Sequence, residues 1–382
     1  MNSSNLSYWE KKTWFSDTDV CVIGSGIVGL STAIFLKRQH PSLTIKILER
    51  GLLPDGGSTK NAGFACFGSL SELATDLKNL DETSVFELIR KRYDGLMRLR
   101  SLLGDDQISY KGFGAYELFT EKETELYEAS LSIQEKMNQW LAEISGQTNV
   151  YQKKDEMIQS FGFSKVKHLI FNSAEGQIDT GMMMKSLINL ARNEGIEILT
   201  GQEVGSVEED GDKHSIRLTN GESFKSKTVV IATNAFAKQL IPELEVAPGR
   251  AQVLVTKPIK DLKFKGCFHL EEGYYYFRNI DNRVLFGGGR NLDKLTETTY
   301  ERGTTELVQR KLEVLLREVI LPDTAFEIER RWSGILGLGS NRQPIVMQYK
   351  PGLFIGVRMG GMGVAIGSSI GYDLSKLIGA DL

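Results

Sequence analysis

Positions 19–29 read DVCVIGSGIVG, a β-branched apolar run that ends on glycine and opens directly into a segment with helical spacing of Ile27, Leu30, Ile34 and Leu36. A second apolar run follows at 43–48. Strand, tight turn, helix and strand make a βαβ unit, long enough for a right-handed parallel crossover. Within it, Gly24 permits the turn, Gly26 lets backbone come close to a pyrophosphate, and Gly29 lets helix and strand pack closely. The first helical residues, Ile27 and Val28, stand where free N–H groups and the positive end of the helix dipole face an anion. Glu49 closes the second strand 20 residues after Gly29, where a carboxylate accepts from ribose hydroxyls, and Arg50 follows it. The pattern predicts a dinucleotide site. The plainer alternative is a glycine turn in a core βαβ unit, and the strand, helix and acid at these spacings together weigh against it.

The chain has 382 residues, more than one hydrophobic core usually holds, so two lobes are expected. With 46 basic and 49 acidic residues and a net charge of −3, it lacks the basic field that nucleic-acid binding needs, and no nucleic-acid partner is expected. Cys21, Cys66 and Cys267 are too few and too scattered for a disulfide framework or a zinc cluster, so no metal is expected and a reducing compartment fits. Residues 1–19 carry no apolar leader core, and no stretch is apolar for the length of a bilayer. A cytoplasmic protein without a transmembrane segment is the expectation.

Amphipathic helices are expected over 82–100, 122–144, 180–194, 304–318 and 364–378, and a buried strand over 228–233. Asn220-Gly221 between two β-rich runs reads as a hairpin turn. From 246 to 289 the chain is dominated by strand-like pieces such as GYYYFR and RVLFGGG, which suit an antiparallel sheet outside the nucleotide fold.

Two further segments bear on which dinucleotide is bound. After Arg50 comes GLLPDGGSTKNAGFACFGS, small residues that can lay backbone amides and the hydroxyls of Ser58 and Thr59 against a cofactor. GVRMGGMG at 356–363 runs into the last helix, a second helix start preceded by close-approach glycines. A helix N-terminus there would stabilise the negative charge of a reduced flavin.

These segments, with VVIATNAF at 229–236, GYYYF at 273–277 and RRWSGILG at 330–337, resemble the D-amino-acid oxidase superfamily of flavoproteins. The likeness covers most of the chain. Within the superfamily, the STKNAGF loop, the WSG turn and SYWE at 7–10 look most like the gamma-glutamylputrescine oxidoreductase branch, beside the glycine and sarcosine oxidases. The resemblance implies noncovalent FAD, since KNAG and RRWSG offer no tethering histidine or cysteine. It implies an α/β fold: a Rossmann-type, glutathione-reductase-like FAD domain made of 1–80, 165–245 and 330–382, and a substrate or cap domain of antiparallel sheet and helices made of 81–164 and 246–329. It places Ser58, Thr59, Asn61, Ala62 and Gly63 along the flavin and pyrophosphate, Val204 at the adenine, and Ala232 and Thr233 over the nucleotide. Gly334, Gly360, Gly361, Met362 and Gly363 would border the isoalloxazine.

The family's oxygen-activating and carboxylate-holding residues are replaced by Leu285, Leu336 and Ala365. Slow reaction with oxygen and a substrate other than a simple α-amino acid follow as expectations. The resemblance implies hydride transfer from the C–N carbon of a small amine or amino-acid-like substrate to flavin N5, with oxygen or a redox carrier as acceptor. By period two, Tyr274, Tyr276 and Arg278 share a strand face, and Arg358 precedes the last glycines, so these four are the candidate substrate residues. Each has an ordinary structural alternative, a packed aromatic strand or a surface ion pair. Arg290 and Arg250 are weaker versions of the same idea, Cys66 reads as a packing residue, and His269 in HLEEG reads as a turn residue. Two other readings stay open. An NAD-dependent dehydrogenase leaves STKNAGF and the terminal glycines unexplained, and a flavin-binding protein with a non-catalytic or RNA-modification role needs a basic tract.

Overall fold

The computed structural model describes residues 6–382. Two eight-stranded sheets organise them. In the first, Leu353–Val357, Ser223–Ile231, Thr18–Ile23, Ile45–Glu49 and Glu197–Thr200 lie side by side in that order and all parallel. Ile345–Lys350 adds an antiparallel edge, and the hairpin of Val204–Asp210 and Lys213–Leu218 pairs with Ser223–Ile231.

The central strand is apolar on both faces because both are covered. Val20 and Val22 pack under the helices Ile27–Gln39, Glu82–Leu103 and Gly363–Asp381, whereas Cys21 and Ile23 pack with Ile216, Leu218 and Phe224 on the hairpin side. The hairpin turn uses one left-handed residue, Gly221 at φ 94°; Asn220 instead accepts the Glu222 amide on its Oδ1 at 3.0 Å.

The second sheet runs Ile328–Leu338, Ala247–Thr256, Arg283–Gly288, Tyr275–Ile280, Cys267–Leu270, Ala115–Thr120, Val166–Asn172 and Tyr151–Lys153. It is antiparallel except where Cys267–Leu270 meets Ala115–Thr120. One face carries an aromatic core of Phe268, Tyr275, Phe277 and Phe286 under the helix Glu306–Leu315. On the other face the register lines up Glu117, His269, Tyr276, Gly287, Val253 and Trp332 in a single row across six strands. A side chain at Gly287 would strike the Tyr276 ring, so glycine is what lets that ring lie across the row.

The strands Val166–Asn172 and Ile328–Leu338 hydrogen-bond in this second sheet, not in the first as the sequence division at 165 and 330 expects. An alternating run such as VKHLIF suits either sheet, and only its pairing with Ala115–Thr120 decides. The helix Leu70–Asn79 was not expected. It starts on a capping box of Ser69 and Glu72 and buries Leu70 and Leu73 against Phe119, Tyr151 and Ile170.

Two adjoining cavities at the junction of the sheets

The turn after the first strand has the geometry its glycines allow. Gly24 sits at φ 104° with its amide on the Leu48 carbonyl at 2.8 Å, and its α-carbon leaves no room for a side chain beside the Ala232 carbonyl. The helix behind it begins at Gly26 without a capping side chain of its own; the Ile27 amide donates to Ser58 Oγ at 3.0 Å. Glu49 is 6% exposed and accepts from Ser25 N and Oγ at 3.2 and 2.6 Å and from Gly51 N at 2.9 Å, so the acid also fixes the turn. Arg50 stacks 3.8 Å over the Phe236 ring.

These groups line an elongated cavity of about 230 Å³ that extends to the start of the last helix. Of the expected cofactor residues, Gly24, Gly26, Ile27, Val28, Glu49, Arg50, Ser58, Asn61, Val204, Ala232, Thr233, Gly361 and Gly363 border it. The last helix also starts without a side-chain cap, at Met362. Thr233 Oγ1 is buried there with no hydrogen-bond partner.

Gly29, Thr59 and Gly63 do not border this cavity: Gly29 packs on the Gly24 carbonyl, the close helix–strand approach its place in the motif calls for, Thr59 turns its hydroxyl to Pro54 O at 2.7 Å, and Gly63 packs against the Arg278 guanidinium. The loop itself is held by Asn61, which donates to Gly57 and Ser58 carbonyls and accepts from Gly63 N at 2.8 Å, and by Trp332, whose Nε1 donates to Lys60 O at 2.9 Å. The WSG segment therefore braces the STKNAGF loop.

A second cavity, about 480 Å³, meets the first at Gly57, Asn61, Leu336, Gly361 and Val364. Ala62, Gly334, Gly360 and Met362 border it, as do Tyr274 and Tyr276. Arg278 and Arg358 do not. Arg278 shares the face of Tyr276, but one row further along it lies buried under Gly63. Arg358 is tied to Glu245 and to the Gln343 carbonyl at 2.8 Å. The charged groups that do reach this cavity are Lys60, Glu72, Asp76, Glu272, Arg290 and Arg342, with His269 and Cys66 between them. Arg342 bridges Asp76 at 3.3 Å and Glu72 at 3.8 Å. Asp76 Oδ2 and His269 Nε2 are buried without partners. His269 is a strand residue 8% exposed, not a turn residue.

Burial sets the protonation of this wall and of the carboxyls behind it. It pushes Glu117 and Glu175 up to about 7 despite amide and hydroxyl donors from Ser71, Phe67 and Gly68. Burial also raises the Cys66 thiol well above its ordinary value, which leaves it a poor nucleophile. Glu72 resists the same burial, because Arg342, His269 and Arg92 hold it below 4.5.

A carboxyl raised on folding adds stability below its unfolded value near 4.5 and loses it as pH climbs through about 7. Glu117→Gln and Glu175→Gln are thus expected to flatten the fall in unfolding free energy, read by urea titration, between about pH 5 and about pH 8, by up to about 3 kcal/mol each. A fall as steep in both variants as in the parent would show that neither group titrates there.

The family described as FAD dependent oxidoreductase (DAO) matches residues 19–377. The probable oxidoreductase OrdL of Haemophilus influenzae is 19% identical over 97% of this chain and 84% of its own length. The bifunctional protein ThiO/ThiG of Synechocystis is 23% identical over 63% of this chain, a match that spans only 33% of that longer protein. The crystal structure of glycine oxidase from Geobacillus kaustophilus superposes with a TM-score of 0.74 at 19% identity, covering 95% of each chain.

Proposed function

The chain belongs to the FAD dependent oxidoreductase (DAO) family, and from that premise we propose that it oxidises the C–N bond of a small amine or amino-acid-like substrate held in the second cavity. The residues of the first cavity suit FAD. Two helix starts whose own N-cap residues supply no capping side chain open on it, Glu49 stands where a ribose needs an acceptor, and the Thr233 hydroxyl is buried with no protein partner. Noncovalent binding is supported by Cys66, a thiol that burial keeps protonated. When bound, FAD supplies the hydride acceptor.

The observation that carries the substrate reading is the polar wall of the second cavity. Asp76 and His269 each leave a buried atom without a partner, and Glu72, Asp76 and Glu272 face the space beside Tyr274 and Tyr276. Buried polar groups left unpaired are costly, and an amine supplies the donors they lack. Arg290 has no ion-pair partner among the described residues and borders the same cavity, where it suits an anionic group further along the substrate. Leu285 packs with Ala62 and Val253 where a lysine would serve oxygen, which favours an acceptor other than oxygen.

Anaerobic mixing with D-amino acids, N-methyl amino acids, polyamines and gamma-glutamyl conjugates tests the reading. At least one amine is expected to bleach the flavin, with recovery faster on adding an acceptor dye than on admitting air. No bleaching by any of them would refute amine oxidation, and immediate recovery in air would refute the acceptor preference.

A further inference from the structure

We propose that His269 takes the proton a bound substrate ammonium must lose before its C–N bond can be oxidised, with the Glu72 carboxylate holding the imidazolium that forms; this rests on the amine reading above. Hydride leaves the carbon of an amine only when the nitrogen has a lone pair to release, and an amine near pH 7 arrives as ammonium. Either the small fraction of free amine binds directly, or a group at the cavity wall takes that proton and lets the abundant ammonium react.

Among the four histidines, His269 alone borders the second cavity. It stands directly opposite Tyr276 in the strand pair, with its ring edge-on to Phe64 at 5.3 Å between centroids, so it is part of the wall that the flavin loop and the tyrosine strand share. Its Nε2 has no partner in the protein.

The groups facing it from each packed element set its charge. Burial lowers its ionisation below 6.5, which leaves the ring neutral and able to accept near pH 7, while Glu72 from the helix Leu70–Asn79 pulls the other way. Cys66 and Glu175 bring their polar atoms within 4.8 Å of its own, and Glu117 adjoins it on the neighbouring strand. Burial keeps the Cys66 thiol protonated and raises both carboxyls to about 7; the Tyr276 phenol is pushed up to about 12. Glu72 is the neighbour ionised throughout this range, with Arg342 and Arg92 as its countercharges, whereas Glu117 and Glu175 ionise only as pH passes about 7. In the transfer, an ammonium N–H bond breaks and its electron pair stays on the substrate nitrogen. A new N–H bond forms on the imidazole, and no electrons change hands.

The test uses holoenzyme and the amine that bleaches the flavin fastest. In the parent, kcat/KM should be level from below about pH 6.5 up to the ionisation of the free amine. In His269→Asn it should fall about 100-fold at pH 7 and rise about tenfold per pH unit, since only free amine then reacts. A variant profile parallel to the parent's would overturn the proposal. A second readout needs no substrate: the His269 proton resonance, identified by its loss in the variant, should titrate below 6.5 in the parent and lower still in Glu72→Gln. A midpoint above 6.5, or one unmoved by Glu72→Gln, would equally overturn it. If no amine bleaches the flavin, the functional reading fails and the titration alone decides the role of His269.

Discussion

Gly29→Ala is expected to give protein that folds but no longer retains FAD through purification. Gly29 touches no cavity; its α-carbon packs on the Gly24 carbonyl, and a methyl there would overlap that oxygen and crowd Val22 Cγ1 at 3.2 Å. Relief requires the helix Ile27–Gln39 to move off the strand Thr18–Ile23. That displaces the helix start and the Ser25–Glu49 hydrogen bonds, which together shape the first cavity. A 1 Å displacement forfeits most of the hydrogen-bond geometry of a phosphate site, since such bonds weaken steeply with length and angle. The check is the ratio of flavin to protein absorbance, with far-ultraviolet circular dichroism for the fold. A folded variant with parental flavin content would show that the turn does not shape the site.

Arg92→Met should lower stability by about 3 to 5 kcal/mol, the usual result of removing one partner from a buried charge cluster. Arg92 is 1% exposed, donates to Phe67 O at 3.1 Å, and supplies countercharge to Glu72 and Asp76 behind the second cavity. Methionine keeps bulk and removes charge, so the loss measures the uncompensated acids. Urea unfolding at fixed FAD concentration reads it. A change under about 0.5 kcal/mol would show that Arg342 alone suffices for both carboxylates.

The nucleotide site was legible in the sequence because its logic is local. Gly24, Gly26, Gly29 and Glu49 act within one βαβ unit, where spacing fixes geometry. The second cavity was not, because its wall is assembled by register: His269 and Tyr276 pair across one hairpin, but Val253 joins their row only through Gly287 on the strand between, and Glu72, Asp76 and Arg342 arrive from a helix and a loop 270 residues apart. Period two correctly put Arg278 on the face of Tyr276 but could not say that its row falls under Gly63. Arg358 is occupied by Glu245, a partner 113 residues away that no spacing announces. The Ser69–Glu72 capping box was the one local signal for the helix that carries the acids, and it lies in a stretch whose small residues read as loop.

The most direct measurement is the visible spectrum of the purified protein, taken before and after acid precipitation and then under anaerobic addition of the amine panel. The predicted result is a yellow flavin band that moves wholly to the supernatant as FAD and is bleached by an amine. A colourless protein that cannot take up FAD, or a flavin band that no amine bleaches, would contradict it.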